Sequence, residues 1–132
     1  MYSQKVLEIF YDPENVGVIK GAQGVGKVVD DTCGEIVKIY VTLEGSKVTD
    51  AKFQAFGSPA IISTAAVATA MIIGKSLEAI KAITAEQILN ELGELPENKA
   101  YVPSVVETAL KNLVANCHKK RSGKASKDED DE

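Results

Sequence analysis

Val6, Leu7, Ile9 and Phe10 recur at helical spacing after Ser3, which predicts a short helix over residues 3 to 11. Asp12-Pro13 ends it, because a residue before proline is driven out of the helical region. Residues 12 to 24 then carry Pro13, Gly17, Gly21 and Gly24, the chemistry of a loop. Alternation follows. Gly26 to Asp30 reads as a first strand, Glu35 to Leu43 as a second with Val37, Ile39, Val41 and Leu43 on one face, and Lys47 to Phe56 as a third with Ala51, Phe53 and Ala55 on one face. Glu44-Gly45-Ser46 joins the second and third into a hairpin.

After Gly57 the period changes to that of helices. Ala60 to Ile73 is nearly all apolar or small and predicts a core helix closed by Gly74, where a left-handed cap costs little. Ser76 caps a short helix through Ile83, and Thr84 with Gln87 has capping-box spacing for a helix to Leu92. Pro96 interrupts the chain. Pro103, in a first turn, then opens a last helix to His118, with Val105, Val106, Ala109, Leu110 and Leu113 facing inward. Strands first and helices after imply an α+β domain, a three-stranded antiparallel sheet with helices packed on one face. Residues 1 to 120 are expected to form that domain, and the charged stretch 121 to 132 a solvated, disordered tail.

Composition narrows the function classes. The chain has 132 residues, 45% of them hydrophobic, enough for one core. Its 15 basic and 19 acidic residues are intermixed, which leaves no basic stripe for nucleic acid and no polybasic membrane anchor. The apolar run from Pro59 to Ile73 is about 15 residues, short of the roughly 20 that a bilayer crossing needs. Two cysteines and no visible export signal point to a reducing cytoplasm.

Among candidate motifs, Gly21-Ala22-Gln23-Gly24-Val25-Gly26-Lys27 imitates a phosphate loop. Val28 stands where a hydroxyl must reach magnesium, and Lys27-Val28-Val29 continues as strand rather than opening a helix. Cys117 and His118 are adjacent on a helix, about 100° apart, and cannot chelate together. His118 is the sole histidine and stands beside the tail rather than a nucleophile, so a Ser-His-Asp or Cys-His catalytic arrangement has little to build on. Cys33, in Asp31-Thr32-Cys33-Gly34-Glu35, falls in a turn between two strands, where a thiol is expected to be exposed. Glu35, two residues on, is a candidate hard ligand or proton acceptor.

Several stretches, in order, resemble the IscU/NifU N-terminal family of iron–sulfur cluster assembly scaffolds. Phe10-Tyr11-Asp12-Pro13-Glu14-Asn15-Val16-Gly17 is similar to that family's Tyr-x-Asn-Pro-x-Asn-Val-Gly opening, and Thr32-Cys33-Gly34-Glu35 to its first ligand turn, Ala-Cys-Gly-Asp. Asp50 to Ser58 resembles the strand leading to the second ligand turn, and Gly74-Lys75-Ser76-Leu77 the segment after the core helix. Leu95-Pro96-Glu97-Asn98-Lys99 resembles the Leu-Pro-Pro-Val-Lys segment grasped by an Hsp70-type chaperone, through Leu95, Pro96 and Lys99. The match covers residues 3 to 115. Against the family pattern, the second cysteine falls on Ser58, the histidine on Tyr101 and the third cysteine on Val102, while Glu35 replaces aspartate.

The resemblance implies an IscU/SufE-like fold and a non-enzymatic scaffold that docks on a cysteine desulfurase. It would accept sulfur, transient iron or a labile [2Fe-2S] cluster at Cys33 and Glu35. Such a cluster needs four terminal ligands, so one chain cannot enclose it; a homodimer pooling Cys33 and Glu35 twice could. Zinc, as in the SufU branch, is disfavoured because it wants about four ligands. Apo iron–sulfur proteins would be the acceptors. The alternative is a pseudo-scaffold: a regulator or partner platform that kept the binding surface and lost the chemistry, as Ser58, Tyr101 and Val102 suggest.

Overall fold

The computed structural model describes residues 1–31 and 34–121. Thr32, Cys33 and residues 122 to 132 lie outside the described residues, and with them the expected exposure of the Cys33 thiol and nearly all of the expected tail. The elements run α1 (Gln4–Tyr11), β1 (Gly24–Asp30), β2 (Glu35–Glu44), β3 (Lys47–Phe56), α2 (Pro59–Ile72), α3 (Leu77–Lys81), α4 (Ala85–Leu92), a 3-10 turn (Glu97–Lys99) and α5 (Val102–Arg121). The sheet is antiparallel, in the order β1-β2-β3. Helices α2 and α5 pack on the sheet, and α1, α3 and α4 pack on them. The predicted α+β architecture is therefore the observed one.

Boundaries moved where tertiary contacts outweighed local pattern. The first strand begins at Gly24 rather than Gly26, because Gly24 and Gly26 lie under α5 where no side chain would fit. A Cβ on Gly24 would sit 2.1 Å from Cys117 Sγ, and one on Gly26 2.1 Å from the Ala109 carbonyl oxygen. The imitation phosphate loop thus continues as sheet. The last helix starts at Val102 and passes His118 to end at Arg121, one residue into the expected tail, with Cys117 fully buried. Val105, expected to face inward, is only half-buried, whereas Val102 is sealed in the core.

Local signals account for most helix starts. Ser3, Ser58, Ser76 and Thr84 each cap a helix through the side-chain oxygen, and Thr84 with Gln87 completes the capping box. The core joins Val37, Ile39, Val41 and Phe53 of the sheet to Ile61 and Ile72 of α2 and to Val106, Leu110 and Leu113 of α5. Burying each such aliphatic or aromatic side chain contributes about 1.5–3 kcal/mol. The Gly74–Leu77 segment is tied to the hairpin: Gly74 N–H donates to the Val48 carbonyl at 2.8 Å and Leu77 N–H to that of Ser46 at 2.9 Å. Gly74 reaches this geometry at φ +87°, a value that favours glycine.

Candidate functional site

Glu35 opens β2 with the same parity as Val37 and Ile39, so its side chain points toward the helices rather than toward solvent. It is 2% exposed. Its surroundings come from two distant parts of the chain. The β3–α2 junction supplies Ser58, the N-cap of α2, and the approach to α5 supplies Lys99 and Tyr101.

Four donors meet on this one carboxylate. Oε2 accepts from Ser58 Oγ at 2.5 Å, Ser58 N–H at 3.3 Å and Lys99 Nζ at 3.3 Å, and Oε1 accepts from Tyr101 OH at 2.9 Å. Four donors match the roughly four acceptor sites of an ionised carboxylate. The Ser58 hydroxyl serves both ends, since its oxygen also accepts from Ile61 N–H and so caps α2. The N-terminus of α2 adds the favourable end of a helix dipole. Gly57 makes the approach feasible, for a Cβ there would lie 2.6 Å from Glu35 Cγ, and its φ of +135° is one that side-chain-bearing residues rarely adopt. Burial pushes the Glu35 pKa up; the Ser58 and Tyr101 hydrogen bonds and the Lys99 ammonium outweigh it and hold the pKa below the ordinary glutamate value.

The residues singled out in the sequence therefore fall into groups. Glu35, Ser58, Tyr101 and Lys99 converge, Lys99 having been marked there only for its place beside Leu95 and Pro96. Val102 does not join them; it lies in the apolar core. Leu95 and Pro96 are half-buried, with Leu95 packed against the core. Gly34, next to Cys33, donates its N–H to the Asp30 carbonyl at 2.7 Å. What the sequence does not announce is that two of the positions the resemblance marked, Ser58 and Tyr101, bond to Glu35 itself. The parity of Glu35 with Val37 was the signal that could have shown it. Among the described residues, no group of three or more His, Cys, Asp or Glu could hold a metal ion, and no helix is long and apolar enough to cross a membrane.

The fold has counterparts among solved structures. The crystal structure of a SUF-system iron–sulfur cluster assembly scaffold protein from Fervidobacterium islandicum superposes with a TM-score of 0.73 over 86% of this chain and 96% of that one, at 20% identity. A NifU-like N-terminal structure from Brucella abortus gives 0.65 over 94% and 96%, at 23% identity. The chain belongs to the NifU-like N-terminal domain family, whose pattern matches residues 1–124. It is 38% identical to the iron–sulfur cluster assembly scaffold protein IscU 1 of Archaeoglobus fulgidus, over 96% of this chain and 82% of that protein. It is 35% identical to the IscU scaffold of Rickettsia prowazekii, over 93% and 96%. These relatives are named as scaffolds rather than as enzymes.

Proposed function

We propose that this chain is a sulfur-accepting, non-catalytic member of the iron–sulfur assembly machinery, which docks on a cysteine desulfurase and takes sulfane sulfur at Cys33. The observation that carries this reading is the convergence of Ser58 and Tyr101, two of the altered ligand positions, on Glu35. Of the ligand positions that the family pattern assigns, Cys33 then supplies the one sulfur. In the transfer, the Cys33 thiolate attacks the terminal sulfur of the enzyme's persulfide. A new S–S bond forms at Cys33 as the old one breaks, and the enzyme's thiolate leaves with the electron pair. A carboxylate close in sequence would ordinarily disfavour the attacking thiolate, but the Lys99 ammonium, 3.3 Å from Glu35, offsets that charge.

Iron, or a labile [2Fe-2S] cluster shared by two copies, is the more demanding cargo. It requires four terminal ligands, and Glu35 would have to leave its donors to become one. Delivery to apo iron–sulfur proteins and contact with an Hsp70-type chaperone through Leu95, Pro96 and Lys99 complete the proposal. Thiol-based transfer suits a reducing compartment such as the cytoplasm.

The test is an anaerobic incubation with a cysteine desulfurase and cysteine, read by intact-protein mass spectrometry. A gain of about 32 Da that disappears in Cys33→Ser is the expected result. No adduct on the native chain would overturn sulfur transfer. A specific observation also favours the pseudo-scaffold reading, because the same convergence on Glu35 removes a metal ligand. Desulfurase binding and modulation that persist unchanged in Cys33→Ser, with no adduct on the native chain, would select it.

A further inference from the structure

The donor set around Glu35 does not fit a metal. A dication approaching the carboxylate meets a lysine ammonium, a phenol and a serine hydroxyl, each already donating to it, at a residue only 2% exposed. Each contact would have to be broken first. Lys99 would then stand beside the metal as a like charge, and neither the Ser58 hydroxyl nor the Tyr101 phenol coordinates well without losing its proton. The arrangement is also held from three sides, by the start of β2, the N-cap of α2 and the residue before α5.

We infer that Glu35, Ser58, Tyr101 and Lys99 form a metal-excluding clamp that sets the cargo specificity of the site: it closes the carboxylate to iron and zinc and leaves the acceptor role to the Cys33 thiol. The clamp ties together, by hydrogen bonds, three segments that a metal ion could otherwise join by coordination. It gives Tyr101 and Ser58 roles as specificity-determining residues, acting through Glu35 without contacting cargo. The specificity claim rests on the sulfur-acceptor reading; the exclusion of metal from Glu35 stands without it.

The experiment is an anaerobic titration of the native chain with ferrous iron and with zinc, in competition with a chromophoric chelator, alongside Glu35→Gln, Lys99→Met and Tyr101→Phe. Glu35→Gln should leave the metal affinity unchanged. The double variant Lys99→Met, Tyr101→Phe, which releases the carboxylate, should raise it about tenfold, and adding Glu35→Gln to it should remove that gain. A tenfold loss of affinity in Glu35→Gln alone would overturn the clamp, because the carboxylate would then be a ligand in the native chain. If circular dichroism shows that Glu35→Gln does not fold, the double variant decides: unchanged or weaker binding overturns the inference. If the double variant does not fold either, Tyr101→Phe alone is read in the same way. A missing persulfide on Cys33 would remove the proposed function and leave the outcome of this titration unaffected.

Discussion

Glu35 holds its charge beneath the first turn of α2, and a buried carboxylate is tolerable only while its donors remain. Truncation of Tyr101 to Phe removes one donor and should cost about 1–2 kcal/mol in urea unfolding at neutral pH. Glu35→Ala should cost about 3 kcal/mol or more, because it strands three polar side chains at once. Lys99, about a fifth exposed, pairs with a carboxylate that is 2% exposed, and Lys99→Met should cost about 1–3 kcal/mol by leaving that charge short of a partner. The depressed pKa fixes the sign of the pH dependence. Stability from ionised Glu35 is fully present above the unfolded-state pKa and is lost as pH falls through the lower folded-state value. Native protein should therefore lose stability more steeply on acidification than Glu35→Gln, as read from unfolding midpoints across the acid range. Equal slopes would mean that the carboxylate gains nothing from its partners. At this scale the sequence was half legible: alternation places Val37 to Leu43 on one face and extends to residue 35, but a charged residue there reads as the end of a strand until its donors are seen.

The elements show how a small sheet protects its edges. Along β3, the 15–17 segment adds a short bridge, with Gly17 N–H donating to the Phe53 carbonyl and Phe53 N–H to that of Asn15, both at 2.8 Å. Along β1, two asparagines one turn apart on α5 do the same work. Asn116 Oδ1 accepts from Val25 N–H at 2.8 Å, and Asn112 Nδ2 donates to the Lys27 carbonyl at 3.0 Å. An unpaired edge invites strand addition from another chain, and side-chain amides placed on it prevent that. Asn116→Ala should accelerate hydrogen exchange at the Val25 amide by at least about tenfold, the equivalent of about 1.4 kcal/mol. Unchanged protection would show that α5 shields the edge by bulk alone. Strands and helices were readable because alternation, caps and prolines are local signals. The edge devices were not, because Asn112 and Asn116 look like ordinary polar positions on a helix, and only the register of α5 against β1 gives them a role.

At the scale of the molecule, one donor to Glu35 stands at the threshold of α5. Tyr101 directly precedes α5, whose residues Ala109, Leu113 and Cys117 rest on Gly24 and Gly26 of β1. The collinear family segments made the fold legible from sequence, yet Gly24 reads there as a loop residue and Gly26 as no more than the start of a strand. Their function is close approach. A methyl group on Gly26 would lie 2.1 Å from the Ala109 carbonyl oxygen and 2.8 Å from Leu113 Cβ, contacts with backbone and core that cannot simply swing aside. Gly26→Ala should therefore lift α5 and cost about 3 kcal/mol. The informative measurement is a double-mutant cycle with Tyr101→Phe. Distant, uncoupled sites are additive within about 0.5 kcal/mol. If the seat of α5 sets the reach of Tyr101, the cost of Tyr101→Phe should shrink by more than about 0.5 kcal/mol once Gly26 is replaced, since the Glu35 hydrogen bond is already weakened. Strict additivity would instead mean that the clamp holds its own geometry against movement of the helix. In that event the specificity of the site would be a local property of four side chains, independent of the packing that carries them.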